Sequence, residues 1–98
     1  MNSQDEDSAQ RQLPAGLREI RSEIDQIDAE IVRLLSVRLS AVMRAFQIKR
    51  AAGLALLDPD REEQIVDHAV ERATELELPK KQVRKIFRQI LRISAKAR

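Results

Sequence analysis

Arg38 and Lys49 are cations set into the longest apolar stripe of the chain. There Ile24, Ile27, Ile31, Leu34, Leu35, Val42 and Phe46 recur at three-to-four-residue spacing, as on one buried face of a helix. Arg38 follows Ile31 by seven residues and Lys49 follows Val42 by seven, so both project from that face. A charge in such a place must be paired or must bind something. The eleven residues between them amount to about three turns, or roughly 16 Å of rise, and return to nearly the same angular position. Two long side chains leaning toward each other could grip opposite ends of one small dianion. Spacing alone favours the plainer alternative, in which each pairs with a carboxylate across a helix interface.

Further polar groups fall at a turn and at the far end of the sequence. In Asp58-Pro59-Asp60-Arg61-Glu62, the carboxylate of Glu62 shares a helical face with Val66, Ala69 and Ala73. It is suited to accept a hydrogen bond from a ligand hydroxyl, and suited as well to pair with Arg38 or Arg61. Asp58 is fully explained as a helix cap. Ser94 continues the apolar face of Val83, Ile86, Phe87, Ile90 and Leu91, and an ordinary helix-end hydroxyl would look the same. Arg21 precedes Arg38 by seventeen residues, about 25 Å along a helix. That is too far for both to touch one small ligand from the same chain.

Composition removes whole classes of chemistry. The 98 residues make one domain at most, 43% apolar but with only Phe46 and Phe87 as aromatics, so few large side chains fill a core. Without cysteine there is no disulfide framework and no thiol nucleophile, and the single His68 cannot build a zinc site. No apolar run approaches the roughly 20 residues of a membrane span, and the N-terminus is acidic rather than basic and then hydrophobic. The sequence therefore reads as a soluble, cytoplasmic protein.

Net charge is only +2 but unevenly spread. Asp5, Glu6 and Asp7 mark an acidic leader over residues 1–16, which holds almost nothing to bury and is expected to be disordered. After Glu77 there is no acid, while Lys80, Lys81, Arg84, Lys85, Arg88, Arg92, Lys96 and Arg98 follow. Such a run could bind nucleic-acid phosphates. No interleaved aromatics or recognition motif accompany it, which favours a solvated helix face over a nucleic-acid partner.

The elements that must position these groups are all helical. A first helix is expected from Leu17 to Ala52, with Gly53 placed for a left-handed C-terminal turn. Asp58-Pro59 reads as an N-cap with proline at the first helical position, opening a second helix through Glu77, and Pro79 starts a third. No strand pattern and no internal repeat occur. The expected architecture is an all-α domain over residues 17–98 with one very long helix. Two short helices cannot cover a stripe of ten turns, so a second copy is expected to bury it in an intertwined antiparallel homodimer. In that arrangement Arg21 of one helix could lie opposite the Arg38–Lys49 segment of the other.

Together these residues resemble the all-α chorismate mutase family over nearly everything from Leu17 to Ser94. The resemblance is carried by Leu17-Arg18-Glu19-Ile20-Arg21-Ser22-Glu23-Ile24-Asp25-Gln26-Ile27-Asp28, then Leu34-Leu35-Ser36-Val37-Arg38, Lys49, Asp58-Pro59-Asp60-Arg61-Glu62 and Ile86-Phe87 with Ser94. It implies a homodimer with shared active sites, a small dicarboxylate substrate, no cofactor and no metal. Arg21 would come from the partner subunit, and Arg38 would hold a substrate carboxylate within the chain. Lys49 would bind a carboxylate and donate toward the ether oxygen. Asp58 and Glu62 would contact the ring hydroxyl region, Arg61 would support the polar network, and Ser94 would reach the ring carboxylate. One residue departs from the family pattern: glutamine or glutamate usually stands four residues after this serine, and here it is Arg98. That residue would either supply a second cation to the ether oxygen or fray and leave water there.

The implied reaction needs no nucleophile or general base. Chorismate becomes prephenate by a [3,3] rearrangement in which fixed cations hold the compact conformer and stabilise charge growing on the ether oxygen. Related scaffolds act as 4-amino-4-deoxychorismate mutase or isochorismate pyruvate lyase; the intact Asp58-x-x-Arg61-Glu62 turn argues against the lyase and leaves the amino analogue open. From a different class, a non-catalytic interaction or nucleic-acid-binding module would use the basic C-terminal helix.

Overall fold

The structure, a computed structural model, describes residues 13–98. It holds three α-helices and, among the described residues, no strand: α1 (Ala15–Ala51), α2 (Pro59–Glu75) and α3 (Lys80–Ala95). The all-α expectation thus agrees with the structure. The acidic leader lies outside the described residues as far as Gln12. None of the described helices is long and apolar enough to cross a membrane.

α1 begins two residues before the expected Leu17. The carbonyl of Pro14 accepts from the backbone N–H groups of both Leu17 and Arg18 at 3.1 Å, which draws Ala15 and Gly16 into the first turn. α1 stops where Gly53 takes φ +70°. The Leu54 N–H then donates to the Lys49 carbonyl at 2.8 Å and the Gly53 N–H to the Arg50 carbonyl at 3.2 Å, the paired bonds of a Schellman cap. A left-handed backbone is free of cost only at glycine.

α2 starts as its sequence dictates. Asp58 Oδ1 accepts from the Arg61 backbone N–H at 3.1 Å, and Pro59 fills the first helical position, where no N–H is needed. The helix ends at Glu75 rather than the expected Glu77, because Glu77 itself turns left-handed at φ 59°. The Leu78 N–H closes the turn on the Ala73 carbonyl at 2.8 Å. Pro79 is the extended residue before α3 rather than its first turn.

The chain divides into two compact units between Leu34 and Leu35. In the described part of the first, Ile20, Ile24, Ile27 and Ile31 are 48–54% exposed. The stripe is thus open along this segment, in keeping with two short helices being unable to cover it, since a helical apolar face stays wet unless another is laid on it. In the second unit Phe46 of α1 is buried, as are Val66, Ala69 and Ala73 of α2. α2 and α3 pack on each other; the alanines permit close approach, and among the described residues Val66 is the one fully buried large side chain. Phe87, Ile90 and Leu91 of α3 are half-buried.

Candidate active site

The second unit contains a hollow of about 430 Å³. α1 contributes Arg38, Val42, Phe46 and Lys49, one face at helical spacing, and α2 contributes Arg61 and Glu62 from its first turn. Asp58 comes from the cap, and Ser94 from α3, with Arg98 beyond its end. Seven of the eight residues singled out from the sequence therefore line one space. Arg21 does not; it is exposed, in the first unit.

Three of the four cations, Arg38, Lys49 and Arg61, are held by neutral partners. Arg38 Nη1 donates to Ser94 Oγ at 2.8 Å, and that hydroxyl donates in turn to the Ile90 carbonyl at 3.4 Å. Lys49 Nζ donates to the Leu56 carbonyl at 3.3 Å and lies 6.0 Å from the centre of the Phe46 ring. Arg61 Nη1 reaches Gln64 Oε1 at 3.4 Å. Among the described residues the ion pairs are Arg33–Glu30, Arg72–Glu75 and Arg88–Glu63. None involves Arg38, Lys49, Arg61 or Arg98, so pairing of Arg38 or Arg61 with Glu62 does not occur. Burial, and then the nearby charge of Arg61, holds the Arg38 guanidinium below its ordinary range. Arginine nonetheless stays protonated at neutral pH, so an under-compensated positive charge faces the hollow, and an anion placed there would relieve it.

Two of these supports, the Leu56 carbonyl and Gln64, were not singled out from the sequence. The Leu56 carbonyl is loop backbone, with no side-chain signature, and is brought to Lys49 by the cap at Gly53. Gln64 could have been found, since it stands three residues after Arg61 on the same helix face.

The chemistry available is binding and electrostatic stabilisation. Ser94 is 8% exposed, and both its hydrogen-bonding directions are occupied with no base beside it, so it is not an activated nucleophile. No group of three or more His, Cys, Asp or Glu residues that could hold a metal ion occurs among the described residues. Apolar walls from Val42, Phe46, Ile65 and Leu91 surround a few convergent polar groups, the usual make-up of a small-ligand pocket, and the volume falls in the range of such pockets.

Comparison with known proteins finds one matching family and several similar proteins. The family model described as chorismate mutase type II matches residues 20–97. A bifunctional chorismate mutase/prephenate dehydratase of Aquifex aeolicus is 45% identical over 51 residues, covering 52% of this chain and 14% of that protein. A chorismate mutase of Methanocaldococcus jannaschii is 41% identical over 51 residues, 52% of each chain. The T-protein of Haemophilus influenzae is 39% identical over 46 residues, 47% of this chain and 12% of that one. The matched part thus spans about half of the Methanocaldococcus protein and a small part of the other two. No solved structure matches.

Proposed function

The chain belongs to the chorismate mutase type II family, and we propose that it isomerises chorismate to prephenate in the hollow lined by Arg38, Lys49 and Arg61. The observation that carries this reading is that these cations, with Arg98, line one space without a carboxylate partner among the described residues. They suit a ligand that brings two negative charges of its own.

Arg38, oriented by Ser94, takes one carboxylate of chorismate. Arginine presents a planar fork that matches a carboxylate in two parallel bonds. Lys49 donates to the ether oxygen, where negative charge grows as the bond from the ring to that oxygen breaks and the new carbon–carbon bond forms. No proton, electron or leaving group departs, so the atoms balance within one molecule. Glu62 accepts from the ring hydroxyl. One oxygen of Asp58 is engaged by the Arg61 N–H, so this residue serves the site chiefly by fixing the first turn of α2. Orientation contributes up to about 7–11 kcal/mol in favourable cases and one preorganised donor about 3–4 kcal/mol. A millionfold acceleration needs only about 8 kcal/mol, so fixed cations suffice.

The site is completed by a second copy of the chain. The open stripe Ile20, Ile24, Ile27 and Ile31 favours burial against an antiparallel partner, and Arg21 on that segment would then enter the partner's hollow. Incubation of the purified protein with chorismate, followed by loss of its diene absorbance, tests the proposal. First-order loss far above the spontaneous rate is expected; no loss at micromolar protein would overturn it.

A further inference from the structure

A second hollow of about 260 Å³ adjoins the first, lined by Glu62, Arg88, Leu91, Arg92, Ala95 and Arg98. Glu62, Leu91, Ala95 and Arg98 also line the larger hollow, so the two share a wall. Arg88 and Arg92 stand one turn apart on α3 and bring two guanidinium groups to this smaller space, with Arg98 at the boundary. The counter-charge is limited to Glu62, which lines the hollow without an ion pair among the described residues, and Glu63. Arg88 Nη1 and Nη2 both reach Glu63 Oε1 at 3.4 Å, a long contact between exposed side chains that is weak by nature. Arg92 and Arg98 have no ion pair among the described residues. Of the remaining basic residues on the helix, Lys80, Lys81, Arg84 and Lys85 line neither hollow, and Lys85 stands beside Arg88 and Arg92 along a further, shallower surface.

We propose that this smaller hollow is an anion subsite at the entrance of the larger one. Arg88 and Arg92 take up a carboxylate of the incoming dicarboxylate, and Arg98, common to both spaces, passes it toward Arg38. The subsite rests on the proposed substrate for its natural ligand, but its anion chemistry stands on these arginines alone. Arginine forks are suited to carboxylates and give up hydration more readily than lysine. Attraction between exposed charges and a dianion acts within a screening length of about 30 Å at 0.01 M salt and 8 Å at 0.15 M. The contribution to capture is therefore on the order of tenfold at low salt and about twofold near physiological salt.

The test compares chorismate kinetics of the full chain with those of Arg88→Gln/Arg92→Gln and of Lys80→Gln/Lys81→Gln. The second variant removes the same charge from the same helix outside the hollow. Arg92→Gln alone keeps the Arg88–Glu63 contact and guards against a folding defect. In the arginine variants KM should rise, about tenfold for the pair at low salt and about twofold at 0.15 M, with kcat within twofold of the parent. The lysine variant should leave KM nearly unchanged. Equal effects in the arginine and lysine pairs, or kcat falling with the rise in KM, would overturn the subsite. If the parent itself does not turn over chorismate, the proposed function fails, and the subsite is then tested by titrating the protein with succinate. Shifts of the Arg88 and Arg92 Nε–H resonances that saturate would support it, and their absence would overturn it.

Discussion

Replacing Lys49 with methionine separates what this cation does for the fold from what it does for the reaction. On the folding side the variant loses one hydrogen bond to the Leu56 carbonyl at 3.3 Å, worth about 0.5–1.5 kcal/mol. It also loses a cation at 6.0 Å from the Phe46 ring, the outer limit of such contacts and worth about 0.5 kcal/mol. Against this, a half-buried charge with no carboxylate partner is removed and the aliphatic stem is kept, which offsets much of the loss. The net change should stay within about 1 kcal/mol, or a Tm shift of at most about 8 °C for a domain of this size. On the catalytic side Lys49 meets charge that grows mainly in the transition state. Its loss should remove about 3–4 kcal/mol, a hundredfold to several-hundredfold in kcat as well as in kcat/KM. The assay is turnover at saturating chorismate, with thermal denaturation of the same preparation at a fixed protein concentration, since an oligomer's Tm depends on it. An unchanged kcat with only a raised KM would refute the reasoning, because Lys49 would then merely hold the ground state.

Arg98 lies beyond the end of α3 and must be ordered before it acts. Arg98→Ala should therefore lower kcat/KM only about tenfold, or about 1.4 kcal/mol, and Arg98→Gln should match or exceed the parent. A loss as deep as that of Lys49→Met would instead make Arg98 an ordered donor to the ether oxygen. Glu77 holds φ 59° without being glycine, so Glu77→Gly should raise stability by about 0.5–1 kcal/mol, several degrees in Tm, with activity unchanged; a lower Tm would contradict this. Arg21→Ala and Arg38→Ala should each be inactive yet recover activity when mixed and allowed to exchange subunits, because one of the two sites in the heterodimer carries neither change. Proven heterodimers that stay inactive would refute the shared site.

Much of the fold was legible because local signals agreed with one another. Asp58-Pro59 names both a cap and a first helical residue, and Gly53 names a left-handed turn. Glu77 was missed as a helix stop because the same turn at a non-glycine carries no residue signature. Among the site residues, Arg38 and Lys49 stood out because cations are costly on an apolar face. What spacing could not decide was whether Glu62 would neutralise them. That depends on which way long side chains turn, and here Arg38 turns to Ser94 and Arg61 to Gln64. The openness of the stripe from Ile20 to Ile31 was legible, because two short helices cannot cover ten turns; what lies on it was not, since periodicity shows that a face is apolar and not what covers it.

The central claim is that cations without carboxylate partners, Arg38 foremost, carry out an intramolecular rearrangement. Proton NMR of chorismate incubated with the purified protein and with Arg38→Ala tests it most directly. Prephenate should be the sole product and should form at least a hundredfold faster with the parent than with the variant. Release of pyruvate, no conversion by the parent, or equal rates for the two proteins would contradict it.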